Sequence, residues 1–172
     1  MVMVQRWLAH VRRRREERIA LQAEAWFEGL GFLLEASRTL LRPQDLPLDL
    51  IGIVHRVDWR LEHIVHSERV LKRALRGRAP HLTSQLQEAT RQAYHLRNQM
   101  ISYFIRRKAF QDAEKAGEPT AYLDRREMEE VLLAANRISR ELAAQLDGIG
   151  PALREALIPI PKGRGPELGD PG

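Results

Sequence analysis

The sequence predicts an all-α protein, an antiparallel up-down four-helix bundle with long first and third helices. Three observations lead there. Apolar residues recur at spacings of three and four through four long stretches, the period that lines one side of a helix. Clusters of glycine and proline separate those stretches, at 42–49, 77–80, 117–119 and 148–151. The connections are short, and short connections between helices alternate their direction.

The third stretch is the clearest. Leu82, Leu86, Ala89, Ala93, Leu96, Met100, Tyr103, Arg107 and Phe110 follow one another at helical spacing, and only Arg107 interrupts the apolar line. Tyr94, Ile101 and Ile105 form a second line beside it. An apolar face this wide needs neighbours on two sides. The helix is predicted over 82–116, with Gly117 and Pro119 ending it.

The first helix is predicted over 2–41. Its second half has a regular seam of Ile19, Ala23, Trp26, Leu30, Leu33, Ser37 and Leu40, widened by Phe27, Leu34 and Leu41. Gly29 and Gly31 fall inside this pattern, where each costs about 1 kcal/mol relative to alanine. They imply either close packing against a neighbour or a kink. The leading half is different. Arg12, Arg13, Arg14 and Arg15 are consecutive and Arg18 follows. Four successive positions sweep most of a helix circumference. This turn therefore lies beyond the packed part of the bundle or faces something negative. Ahead of it, Val4, Trp7, Leu8 and Val11 form a small apolar patch.

Pro43 and Pro47 separate the first two helices, with Asp45 as a cap. The second helix is predicted over 48–76, with the seam Leu50, Val54, Val57, Leu61, Ile64, Glu68, Leu71 and Leu75. Gly77 reads as the residue after its C-cap and Pro80 as a first-turn proline. Asp124 with Glu127 gives a capping-box start for the fourth helix, which carries Met128, Val131, Ala135, Ile138, Leu142 and Leu146. Gly148, Gly150 and Pro151 are expected to break it, leaving a short helical turn at 151–157. Residues 1–158 form one helical-bundle domain in this scheme, and 159–172 a disordered Pro/Gly-rich tail. A short fourth helix would leave apolar stripes of the first and third uncovered, which argues for a protein partner or a homo-oligomer.

Composition sets further bounds. With 44% hydrophobic and 30% charged residues, the 172-residue chain has a soluble, folded profile. The absence of cysteine excludes disulfides, thiolate chemistry and cysteine-based zinc sites. No apolar run approaches the roughly 20 residues of a membrane span. The opening MVMVQRWLAHV has neither a long apolar core nor a small-residue cleavage pattern, so no secretory signal is expected and the expected location is cytoplasmic.

The formal charge is +5, from 28 basic and 23 acidic residues. The basic residues gather in two sets: Arg12, Arg13, Arg14, Arg15 and Arg18 in the first helix, and Arg69, Lys72, Arg73, Arg76 and Arg78 at the end of the second. An up-down bundle brings these two regions to one end. A phosphate backbone is the usual partner of such a surface. The expected function is therefore a non-catalytic module that binds RNA or DNA phosphates without reading base sequence. Cations at a helix C-terminus also favour the helix dipole, which accounts for the second set without a partner. Arg106, Arg107 and Lys108 are expected toward the opposite end, diluting the contrast. The alternative function is an assembly subunit using the overhanging apolar stripes.

Signals for catalysis are sparse. His55, Asp58, Glu62, His63 and His66 share the second helix. A di-iron bundle would need Glu-x-x-His on two helices, and this spacing is absent, so no metal and no cofactor are expected. Arg97-Asn98 resembles the first half of the Arg-Asn…His motif of the helical HEPN ribonucleases. The resemblance implies an RNA-cleaving bundle. The positions where the histidine would stand are Gln99, Met100, Ile101, Ser102, Tyr103 and Phe104, so the base is missing. No serine lies in a nucleophile elbow, and GRG at 163–165 lacks the strand and helix of a phosphate loop. No residue is assigned a catalytic role.

Overall fold

The apolar periodicity is realised as four helices. In the computed structural model, which describes residues 2–40, 50–119 and 121–158, they are α1 (Val2–Leu40), α2 (Leu50–Arg78), α3 (Thr83–Ala116) and α4 (Ala121–Leu157). A 3₁₀ turn, Pro80–Leu82, leads into α3. The expected breaks at Pro43, Asp45 and Pro47 and the tail from 159 lie outside the described residues.

Side-chain pairs fix direction and register. Arg78 approaches Glu16, Ser67 donates to Gln22, and Ile64 lies against Gly29. Residue numbers fall on α2 as they rise on α1, so the two run antiparallel. Arg106 pairs with Glu127 and Gln145 reaches the Gln85 carbonyl, which makes α3 and α4 antiparallel as well. Trp26 bonds to Thr90 across the bundle, where α1 and α3 run in the same direction. This is the up-down four-helix bundle that short connections favour.

The core takes its largest fully buried side chains from all four helices: Trp26, Leu30 and Leu33, then Ile64, Leu71 and Leu75, then Leu86, Leu96, Met100 and Tyr103, then Leu142 and Leu153. Several polar groups inside are paired, while Thr83 Oγ1, Gln92 Oε1 and Gln145 Oε1 are buried without a hydrogen-bond partner among the described residues. The Trp26 indole donates to Thr90 Oγ1 at 3.1 Å, and that hydroxyl donates to the Leu86 carbonyl. Ser37, which stood in the apolar seam, spends its proton on the Leu34 carbonyl at 2.7 Å. Ser139 must then be the donor in the 2.8 Å bond between the two serines. Arg107, the interruption in the α3 line, is buried with Nη1 3.4 Å from Tyr103 Oη.

The fourth helix departs from expectation. It runs unbroken through Gly148, Gly150 and Pro151, and the turn at 151–157 is its final segment. A proline inside a helix removes one backbone bond and costs about 3 kcal/mol. Leu153 and Leu157 are both fully buried beyond it, each worth about 1.5–3 kcal/mol. The Arg154 guanidinium also stacks 4.0 Å over the Phe27 ring. Tertiary packing outweighs the local break.

That length has a consequence for the stripes. α4 covers α3 over its whole course, and Phe104, Arg107 and Ala113 are buried near the α3 end. The third helix therefore has no uncovered end, although Tyr94 and Ile105 of its second apolar line remain exposed. On the first helix it is present: described residues 3–15 are all exposed. The end of α2 lies beside the Arg12–Glu16 turn, so the preceding segment of α1 projects about 15 Å past the bundle at 1.5 Å per residue.

Two helix ends also differ. α2 continues to Arg78, with Gly77 inside it; Pro80 rather than Gly77 sets the stop. Gly117 alone among the described residues takes a positive φ, 69°, and caps α3 as expected. α4 starts at Ala121, before Asp124, and Glu127 pairs with Arg106 instead of closing a capping box.

The glycines of α1 resolve into packing and permissiveness. A Cβ at Gly29 would stand 2.6 Å from Ile64 Cγ1, whereas one at Gly31 would meet nothing within 4 Å. Ile64 is fully buried and has nowhere to retreat. Gly29→Ala is expected to destabilise the fold by about 1–3 kcal/mol through overpacking, despite the better helix propensity. Gly31→Ala is expected to stabilise it by up to about 1 kcal/mol. Urea unfolding of the two variants, whose sites are two positions apart and whose effects are opposite in sign, measures both.

Candidate nucleic-acid interface

The register of α1 against α2 brings the leading arginines beside the end of α2. Arg12 and Arg15 from α1 face Arg73 and Arg78 from α2 across a cleft of about 380 Å³, which Glu155 and Ala156 of α4 close on the third side. A shallower cleft of about 200 Å³ adjoins it, lined by Arg15, Arg18 and Arg73 over a floor of Ile19, Val70 and Ala74. Arg15 and Arg73 belong to both, so the two clefts form one groove along the α1/α2 seam.

Five guanidiniums line this groove, facing two carboxylates, Glu16 and Glu155. Glu16 is shared: Arg12 lies 3.4 Å from it and Arg78 4.0 Å. Arg78 also donates to the Ala156 carbonyl at 3.3 Å, satisfying an end of α4 that has no further helical turn to bond it. Arg78 is thus held in place. Arg15, Arg18 and Arg73 are bound to no carboxylate among the described residues. Their charge stays available to a ligand. The C-terminal dipoles of α2 and α4 meet at the same end and support the concentration of cations.

The other expected members are placed elsewhere. Arg13 pairs with Glu17 at 2.9 Å on the solvent side of α1. Arg14 and Arg76 are exposed outside the groove. Arg69 lies in a separate shallow groove with Glu62, Val65, His66 and Tyr94. Lys72 is half-buried and acts on Glu68. The ten arginines and lysine therefore share one end without sharing one surface, and half of them build the groove.

The opposite end is less basic than its sequence implies. Arg106 pairs with Glu127, Arg107 is buried, and Lys108 holds Asp112 at 2.9 Å. The Lys108 ammonium keeps the Asp112 carboxyl below its ordinary value. Lys108–Asp112 is an i,i+4 pair within α3, whereas Arg106–Glu127 joins two helices and cannot be read from spacing.

The remaining sequence signals are absorbed by structure. Arg97 Nε donates to Asp58 at 2.7 Å and its Nη1 to Asn98 at 2.9 Å, so it ties α3 to α2. His63 stacks on Trp59, with ring centroids 4.0 Å apart, and its Nδ1 lies 2.8 Å from the Trp59 carbonyl. Among the described residues, no group of three or more histidines and carboxylates is placed to hold a metal. No helix is long and apolar enough to cross a membrane.

Fold and site together define a four-helix bundle with an arginine-lined groove at one end. No protein-family model, curated protein or solved structure matches the chain.

Glu68, at an otherwise apolar seam position, gives the region a pH signature. Burial raises its carboxyl above the ordinary value of 4.5, and Lys72 and Arg69 offset this only in part. A raised value in the folded state means that the folded chain holds the proton more tightly than the unfolded one. The resulting stabilisation is present below 4.5 and is lost as pH rises through the folded-state value. Glu68→Gln is therefore expected to match the parent chain at acid pH and to exceed it in stability toward neutral pH. Urea unfolding at a series of pH values reads the divergence.

Proposed function

We propose that this bundle binds the phosphate backbone of nucleic acid, without reading base sequence, through the groove between α1 and α2. The observation that supports this is the convergence of Arg12, Arg15, Arg18, Arg73 and Arg78 from two distant segments on one groove with only Glu16 and Glu155 opposing them. Arginine presents a planar fork of donors that suits phosphate oxygens. A groove with few aromatic side chains favours backbone contact over base stacking. Catalysis has no part in this function. A second reading, an assembly subunit, is favoured by the exposed Val4, Trp7 and Leu8 of α1, which phosphate binding leaves unused.

Binding of labelled RNA and duplex DNA across a salt series tests the first reading. Affinity is expected to fall steeply between about 50 and about 200 mM salt as counterions are released. Arg15→Ala with Arg73→Ala is expected to lower the slope of log affinity against log salt by about 2. Arg125→Ala, in an exposed pair with Glu129 toward the other end, is expected to change nothing. Absence of binding at low salt, or binding indifferent to salt, overturns the reading.

A further inference from the structure

We propose that the projecting segment of α1 docks an acidic amphipathic helix of a partner protein, laid end to end with α2. The inference rests on the assembly reading; it shares Arg15 and Arg18 with the groove but is carried by the apolar stripe, which phosphate binding does not use.

The argument begins with the seam between α1 and α2. Gly29 packs on Ile64, Gln22 bonds to Ser67, and Phe32 lies beneath Arg60. Positions seven apart stay on one side of a helix packed in this way. Stepping back by sevens from Gly29 and Gln22 leads to Arg15 and then Leu8. Stepping back from Phe32 leads through Ala25 and Arg18 to Val11 and Val4. Val4, Leu8 and Val11 therefore continue the α1/α2 seam past the point where α2 stops, and Trp7, whose heptad successors Arg14, Leu21 and Glu28 face solvent, stands beside that line. Val4, Trp7, Leu8 and Val11, between 44% and 63% exposed, stand at the i, i+3, i+4 and i+7 spacing of helix-in-groove recognition.

The place left beside the stripe has the shape of a helix. α2 ends at Arg78 and the chain turns away into α3, so the stripe looks into a step one helix wide, about 10 Å. A flat bilayer laid along the stripe would run into the end of α2. A rod of helical diameter fits the step.

Charge selects the kind of helix. Residues 2–15 carry Arg6 and Arg12 to Arg15 and no carboxylate. The heptad positions of Trp7, Leu8 and Val11 are occupied seven residues later by Arg14, Arg15 and Arg18. The face thus changes from apolar to basic as it nears the bundle. A second copy docked antiparallel on the same stripe would set these arginines against the positive end of another α1. A partner helix with an apolar seam that ends in glutamates or aspartates toward the bundle meets both halves.

The probe is a synthetic peptide of three heptads with leucine at its seam and glutamate at the flanking positions, compared with one bearing lysine at those positions. The full chain is expected to bind the acidic peptide saturably and the basic one not at all. Trp7→Ala with Leu8→Ser, which alters exposed residues only, is expected to weaken binding at least about tenfold with an unchanged far-ultraviolet circular dichroism spectrum. Arg14→Ala with Arg18→Ala is expected to weaken it by a smaller factor. Failure of the acidic peptide, or equal binding of both peptides, overturns the proposal. If the Trp7/Leu8 variant then loses a dimer seen by light scattering, or loses binding to phosphatidylserine vesicles, the stripe is an interface with another occupant. If neither is seen, the assembly reading falls too. Nucleic-acid affinity is expected to be unchanged in the Trp7/Leu8 variant, which keeps failure here separate from failure of the groove.

Discussion

The close approach of Gly29 to Ile64 governs what the rest of the molecule can present. Only a residue without Cβ allows Ile64 to seat fully against α1, and a knob in a single hole fixes the sliding position of two helices. With that register set, Arg78 meets Glu16, Ser67 meets Gln22, and the start of α1 has no α2 beside it. The arginine groove and the projecting segment are both products of this one alignment. A shift by a single heptad would carry Arg73 away from Arg15 and dissolve the groove.

Buried polar pairs add direction to this alignment. The Trp26–Thr90 and Ser37–Ser139 bonds cross the bundle at different heights and join α1 to α3 and α4. Apolar seams tolerate sliding; an indole N–H or a hydroxyl left without its acceptor in the interior costs about 1–3 kcal/mol. The two bonds therefore favour one arrangement of the helices around α1 over rotated alternatives with equal apolar burial.

The helical seams were legible in the residues because three-four spacing maps directly onto a helix face. Ile19 through Ser37, Val57 through Leu75 and Leu86 through Tyr103 all run along buried faces, though Glu68 is only half-buried. The end of α4 was not legible. Gly148, Gly150 and Pro151 are strong local breakers, and what overrides them is burial of Leu153 and Leu157 together with Arg154 on Phe27, contacts more than a hundred residues apart in sequence. The same limit applies to the basic end. Adjacency of the two arginine sets follows from topology alone. Which five of the ten residues would turn into the groove depends on helix rotation, and the pairing of Arg106 with Glu127 depends on which helix lies alongside, whereas Arg13–Glu17 and Lys108–Asp112 are i,i+4 pairs that spacing does anticipate.

Pro151 leaves α4 with one missing backbone bond just ahead of its last two turns, which contribute Glu155 and Ala156 to the wall of the groove. Those turns are anchored by Leu153, Leu157 and Arg154 rather than by an uninterrupted amide ladder. Fraying there would withdraw one of the two carboxylates and release Arg78 from its carbonyl, raising the electrostatic potential of the groove. The terminal turns of α4 thus carry a counter-charge whose position depends on side-chain anchoring beyond a proline, so the charge balance at this end of the bundle is tied to the packing of Leu153 and Leu157.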